Sequence, residues 1–292
     1  MKLRAKFNLA ICAAFAIGFA GAGVFLHQLF VDEARDEVLQ DARIMMTAAN
    51  AIRHYTTKEV EPVLGSETNG RFLAISVPSF AAQTNFKEVQ AGFPDYTYKE
   101  AALNPTNPVD RTSDWEADFV NAFRRQSDLK ESIGERDTPT GRALTLARPI
   151  KVGSADCLTC HSTPDRAPAA MTKVYGSANG FGWQLNETVA AQIVSVPMEV
   201  AMHKAQTTFY TFMAILLVMF LAIVAILNVL LHYLIIQPVV KVAGVANAVS
   251  LGNLAVEEYE QKGNDEISSL AASFNRMRRS LESALKLLDP HG

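Results

Sequence analysis

Cys157-Leu158-Thr159-Cys160-His161 is a C-x-x-C-H run in a chain of 292 residues that holds three cysteines. Two thiols three residues apart can each form a thioether to one vinyl group of haem, and the histidine that follows then falls under the iron as an axial ligand. C-x-x-C alone is ambiguous among zinc, redox and disulfide chemistry. The adjacent histidine removes most of that ambiguity. Zinc is disfavoured because the remaining cysteine, Cys12, lies in an apolar N-terminal run, so there is no second thiolate pair. A thioredoxin-like dithiol sits at a strand-to-helix junction of a βαβ unit, and residues 154–164 lack such flanks. A plain disulfide is the bland alternative. The motif therefore predicts one covalent haem c, held by Cys157 and Cys160 with His161 as the proximal iron ligand.

The elements that must position this motif follow from the apolar pattern. No charge occurs from Phe7 to Val31 or from Ala205 to Val240, and each run exceeds the ~20 residues that cross a bilayer as a helix. Lys2, Arg4 and Lys6 precede the first run, and Asp32, Glu33, Asp36 and Glu37 follow it. The positive-inside rule then puts the N-terminus in the cytoplasm. A cleaved signal peptide is the alternative for the first run, with small residues at Ala20 to Gly23. Its apolar stretch is longer than the roughly 7–15 residues of a signal core, which favours an uncleaved anchor. The expected organisation is a cytoplasmic N-terminus (1–6), a first span (7–31), a periplasmic domain (32–207), a second span (208–236) and a cytoplasmic tail (237–292). Haem c is attached outside the bacterial inner membrane, so motif and topology agree. The formal net charge of −3 argues against a nucleic-acid-binding surface.

Within 32–207 the pattern reads as α+β. Val38, Ala42, Met45, Ala49 and Ile52 recur at helical steps and predict a long helix ended by Pro62. Phe72–Val77, Ala143–Ile150 and Ala190–Val196 read as strands, the last ended by Pro197, and Trp115–Arg125 reads as a helix. Asn104 to Pro108 marks a loop. Gly180-Phe181-Gly182-Trp183 reads as a turn with core aromatics that could also flank the haem.

Several strings resemble the periplasmic c-type haem sensor domains that precede HAMP modules. They are Ala51 to Thr56, Val77 to Ala82, Tyr98 to Ala101, Asn104 to Pro108, Trp115-Glu116, Cys157 to Ser162, Tyr175-Gly176, Gly180 to Trp183 and Val194 to Met198. In order, they cover nearly the whole domain. The resemblance implies a PAS-like fold, a central antiparallel sheet with helices, and haem held against the long N-terminal helix. Some such domains use a cysteine thiolate as sixth ligand, and no cysteine remains here to do so. His54 on that helix is a candidate distal ligand or an exposed polar residue. Met45 and Met46 are the alternatives, as ligand or core filler, and an open sixth position is the other. His203, Met171 and Met198 are weaker candidates. Arg53, Tyr55 and Arg148 could donate to haem propionates, or hold structural ion pairs.

Pro238 stands where a HAMP module starts. Val242, Val245 and Val249 mark one amphipathic helix. Ile267, Leu270, Phe274, Met277, Leu281, Ala284 and Leu288 mark a second with an unbroken coiled-coil seam, Arg276 and Arg278 facing water. Gly252-Asn253-Leu254 and Asp265-Glu266-Ile267 match a HAMP connector and the acidic start of its second helix. So short a seam predicts a parallel homodimer; an isolated coiled coil is the alternative. No output module is expected after the second helix, so the expectation is a haem sensor of redox state or a diatomic gas, acting through a cytoplasmic effector in trans. A membrane-tethered electron-transfer cytochrome is the runner-up, and a haem-bearing subunit of a larger membrane complex the third reading. Nothing in the sequence points to an enzyme: no nucleophile–base pair, second metal site or phosphate loop stands out.

Overall fold

The computed structural model describes residues 3–64, 67–68, 70–253, 255–259 and 263–288. It comprises two units, Leu26–Phe209 and a second formed by Met1–Phe25 with Tyr210–Gly292. Helix α1 (Leu3–Tyr55) is unbroken and contributes residues to both.

In the 26–209 unit, Ala34, Val38, Ala42, Met46 and Ala49 of α1 are buried, while Met45 is only partly so. The helical pattern in the sequence points to Met45 rather than Met46. Four-residue steps from Ala34 to Met46 keep one line of side chains against a flat partner, and the 3.6-residue period leaves Met45 at its edge. Pro62 does not end the helix as expected. A π-helical turn, Thr56–Val60, precedes α2 (Glu61–Leu64), with the Glu61 N–H donating to Thr56 O. Proline has no N–H and its ring collides with the carbonyl four residues back, and a wider turn just before it relieves both.

After the short strands β1 (Glu67–Thr68) and β2 (Arg71–Phe72), the predicted strand over 72–77 is broken by a 3₁₀ turn, Ala74–Ser76. Both the Ser76 N–H (3.0 Å) and its hydroxyl (2.8 Å) donate to Leu73 O, so the side chain offers the backbone a turn instead of a ladder. Pro78 then opens α3 (Pro78–Gly92).

Four strands form the central sheet: β3 (Thr97–Ala102), β4 (Ser132–Thr138), β5 (Gly141–Lys151) and β6 (Thr188–Pro197). They lie antiparallel in the order β3-β6-β5-β4. The expected helix at 115–125 is α4 (Asp114–Arg125), and α5 (Cys157–His161) and α6 (Ala169–Tyr175) lie between β5 and β6. Period-two alternation divides the sheet faces. Leu144 and Leu146 of β5 and Val194 and Val196 of β6 meet α1 through Val38, Ala42 and Met46. Ala147, Ala191 and Ile193 meet Val120 and Phe123 of α4 on the other face. Each large apolar side chain so buried contributes roughly 2 kcal/mol.

Polar residues fix where α1 lies. Glu100 of β3 is 4% exposed and pairs with Arg53, and it accepts from Tyr98 Oη at 2.7 Å. Gln192 Nε2 donates to Tyr98 Oη and to Asn50 Oδ1, both at 2.9 Å. Burial and the Glu100 carboxylate push the Tyr98 hydroxyl well above its ordinary pKa, so it stays a donor.

In the other unit, residues 3–25 of α1 pack with α7 (Glu199–Leu231). Phe15 stacks on Phe220, and Asn8 and Asn228 exchange side-chain amide bonds, both 3.0 Å. Among the described residues, helices α1 and α7 lie in two stretches long and apolar enough to cross a membrane. A second π-turn, His232–Ile236, precedes Pro238 in α8 (Gln237–Ser250), repeating the arrangement before Pro62. In α9 (Glu266–Leu288), Ser268, Ala271 and Asn275 are buried. The seam residues Leu270, Met277 and Leu281 are 52%, 68% and 45% exposed within the single chain. Arg278 departs from the expectation of a water-facing side chain. It donates to Val256 O and, at 3.0 Å, to Glu258, because the connector carbonyl and carboxylate both need a cation there. Leu254 lies outside the described residues.

Glu100→Gln should lower the unfolding free energy of the full chain by about 3 kcal/mol, since it leaves a largely buried guanidinium without its anion. Glu37→Gln removes only the exposed pair with Lys204 and should cost less than about 1 kcal/mol. Denaturant titrations in detergent, followed by circular dichroism, compare the two.

Candidate functional site

Helix α5 is one turn, started by tight bonds from Cys157 N–H to Ser154 O (3.3 Å), Leu158 N–H to Ala155 O (3.0 Å) and Thr159 N–H to Asp156 O (3.1 Å). Residues three apart share a helix side. Cys157 and Cys160 are both half-buried free thiols, whereas Thr159 between them is exposed. Cys157 and Leu158 pack against the cluster of Ala102, Val152, Val189 and Ala190, which anchors the turn to one end of β5 and β6. Burial, Glu61 and Cys157 together raise the Cys160 pKa, so it is held as a thiol.

His161 is fixed from three sides. Its Nδ1 lies 2.7 Å from Gly180 O and 3.4 Å from Thr106 Oγ1, and its ring stacks on Trp183 at 3.8 Å and 10°. A carbonyl can only accept, so the neutral ring carries its proton on Nδ1 and leaves the Nε2 lone pair free. Burial lowers the His161 pKa, against the pull of the Gly180 carbonyl, and this favours the neutral, ligating form.

The acceptor is placed by backbone geometry. Gly180 has φ +82°, and a Cβ there would strike Thr106 Oγ1 and come within 2.8 Å of Thr106 Cα. Only glycine allows that approach. Two further bonds zip the segments together, Gly182 N–H to Ser162 O (2.9 Å) and Trp183 N–H to His161 O (3.2 Å). Three stretches distant in sequence (Asn104–Pro108, Cys157–Ser162 and Gly180–Trp183) thus form one site. The sequence reading marks all three but misses that Gly180 O is the histidine's acceptor. The two glycines around Phe181 are the available signal for such a turn.

Other expected residues are placed as follows. Arg53 is engaged by Glu100, and Arg148 donates to Glu131 at 3.1 Å. Tyr55 and His54 are exposed at the end of α1. His54 has no partner among the described residues, and it stands seven residues, about 10 Å of helix rise, before Glu61. Met46 is fully buried with Leu144 and Leu146. Cys157 packs against the cluster that holds Ala190, whose β5 partner Ile150 lies four to six residues further along the strand, or roughly 13–20 Å. The structure therefore brings His161 and the two cysteines together and keeps Met46 apart from them. Met171 and Met198 are buried, and His203 is exposed on α7.

The donor set fits a C-x-x-C-H haem. It supplies two unbonded half-buried thiols on one helix side and a neutral imidazole with Nε2 free. The Ser162 hydroxyl beside them is buried without a partner among the described residues. No cluster of three or more His, Cys, Asp or Glu residues is grouped for a bare metal ion among the described residues.

A family model described as Tll0287-like matches residues 31–197, and a HAMP domain model matches residues 230–283. The chain belongs to the Tll0287-like family. The Tll0287-like domain thus contains the whole site and is followed by a HAMP domain. One similar solved structure is the crystal structure of the cyanobacterial heme-protein Tll0287, at 20% identity and a TM-score of 0.44, covering 55% of this chain and 95% of that one. No curated protein matches.

Gly180→Ala should destabilise the chain by at least about 2 kcal/mol, because positive φ and a collision with Thr106 combine. Gly182 has a similar φ of +81°, but a Cβ there would meet nothing within 4 Å, so Gly182→Ala should cost only about 1 kcal/mol. Thermal unfolding of both variants measures the difference.

Proposed function

We propose that this chain is a membrane-anchored c-type haem sensor, with one haem c bound through Cys157 and Cys160 and His161 as its proximal ligand. The observation that carries the reading is the His161 imidazole. It is stacked on Trp183 and bonded to Gly180 O, which fixes the ligating tautomer directly beside the two thiols. Family membership and the following HAMP domain support a haem-binding signal transducer. When bound, the haem would supply an iron that changes oxidation state or takes up a diatomic gas. The remaining work belongs to the protein: Gly180 and Trp183 hold the imidazole, and α1 presents His54 as the candidate sixth ligand.

The domain is read as PAS-like, on the grounds of its four-stranded antiparallel sheet with α1 across one face. Lys2, Arg4 and Lys6 before the first span and the acidic residues after it support a two-pass inner-membrane protein. In that reading the haem domain is periplasmic and both termini are cytoplasmic. The exposed seam of Leu270, Met277 and Leu281 supports a parallel homodimer, since an apolar coiled-coil stripe needs a second chain. Output to a separately encoded cytoplasmic effector completes the proposal.

Denaturing gels stained for haem should show a band at the full-chain mass, lost in Cys157→Ser/Cys160→Ser; a wild-type chain without stain would refute covalent attachment. His54→Ala should convert a low-spin spectrum to a high-spin one, and an unchanged spectrum would reassign the sixth position. In a Cys12→Ser background, Met277→Cys should cross-link between chains in membranes and Arg276→Cys should not. If cross-linking is identical in oxidised, reduced and gas-treated membranes while the haem exchanges electrons rapidly with a soluble cytochrome, the electron-carrier reading replaces the sensor.

A further inference from the structure

The two sheet faces are covered unequally. Helix α1 spans one, but α4 covers only the half of the other face around Ala101, Ala147, Ala191 and Ile193. Beyond Trp115, near the start of α4, that second face opens into a cleft of about 430 Å³ floored by Ala143, Ile193, Ser195 and Pro197. The volume is in the range of sites for small organic molecules. Cys157, Cys160 and His161 do not line it.

The polar groups of this cleft are unevenly satisfied. Lys99 and Glu116 neutralise each other at 2.7 Å, and Glu116 also accepts from Ser113 N–H. Arg136 is different. Its guanidinium lies over the Trp115 ring, 4.1 Å from the centroid, and it has no carboxylate partner among the described residues. Stacking uses the face of the guanidinium and leaves its in-plane N–H groups unused, which is the fork that binds a carboxylate by two bonds. Arg142 borders the cleft, but by the alternation of β5 its side chain leaves on the α1 face with Leu144, where it lies 3.6 Å from Asp137 and 3.9 Å from Glu135. At the floor, Ser195 is 8% exposed and shares one hydrogen bond (3.2 Å) with the buried Thr145 hydroxyl. Two hydroxyls have two protons and this bond uses one, so one donor is left over. The rim adds Lys87 and Asp95, one charge of each sign. Basic groups therefore exceed carboxylates, above an otherwise apolar floor.

We propose that this cleft is a second ligand site, for a small organic carboxylate whose apolar body lies on Ile193 and Pro197 and whose carboxylate meets Arg136. The site is independent of the haem reading and lies on the other face of the sheet from α1. Two of its lining residues, Gly141 and Arg142, also hold the start of α7. Met198 N–H donates to Arg142 O at 2.8 Å, and the Glu199 carboxylate packs directly on Gly141. An occupant would therefore bear on the turn between β4 and β5 that holds the first residues of α7.

The test is calorimetric titration of the full chain in detergent with benzoate, and with benzamide as the neutral isostere. Benzoate should bind wild type at least about tenfold more tightly than benzamide, the difference a charge-assisted bidentate contact makes. Arg136→Gln should remove that preference, and Arg125→Gln, on α4 outside the cleft, should leave it intact. If Arg136→Gln fails to fold, Ser195→Val provides the second arm and should weaken benzoate severalfold. Equal binding of benzoate and benzamide, unchanged benzoate affinity in both cleft variants, or no heat with benzoate, phenylacetate or hexanoate would each overturn the proposal.

Discussion

Glu100 is a carboxylate buried where the sheet meets α1. An ion in that position is tolerable only if a cation and hydrogen-bond donors surround it, and Arg53 and Tyr98 supply them. Because Arg53 is on α1, the pair does more than satisfy a charge. It specifies where along the sheet the end of α1 must lie, whereas the apolar contacts of Val38, Ala42 and Met46 are non-directional and would tolerate sliding. With the helix end so placed, the π-turn and Glu61 arrive beside Cys160, whose thiol responds to that carboxylate.

The same logic of a satisfied polar group governs the haem-type motif. A C-x-x-C-H turn can be formed by almost any five-residue helix, but an imidazole ready to ligate needs its proton held on the correct nitrogen. Here a single carbonyl does this, and it reaches His161 only because Gly180 carries no side chain against Thr106. Trp183 then removes the remaining freedom of the ring by stacking. The site is assembled by loops that the sheet brings to one end, and its precision comes from backbone atoms.

The two π-turns show a shared solution to one local problem. Each ends with one residue between it and a proline, Pro62 in α2 and Pro238 at the start of α8. In both places a helix continues through a residue that cannot donate to it, with the lost bond absorbed by one wider turn.

How much of this is legible in the sequence depends on the range of the interaction concerned. The C-x-x-C-H spacing, the two uncharged runs, the amphipathic α4 and the buried strand from Ala190 to Val196 are local patterns, set by side-chain chemistry within a few residues. Each can be read from neighbouring residues. The helix end at Pro62 and the strand over 72–77 mislead although they too are local, because a π-turn and a serine side chain offer the backbone alternatives that apolar pattern does not reveal. Arg53 and Arg148, open to two uses in the sequence, are directed to Glu100 and Glu131 by neighbours 47 and 17 residues away. Arg278 is turned inward by a connector carbonyl 22 residues earlier. The acceptor for His161 comes from a glycine 19 residues on, pressed against a threonine from another loop. The sequence by itself determined which chemistry the chain could perform and which segments were apolar enough to span or fold. Only the tertiary structure decided which polar atom satisfied which, because a hydrogen bond depends on distance and direction, and residues far apart in sequence acquire these only once the sheet has formed.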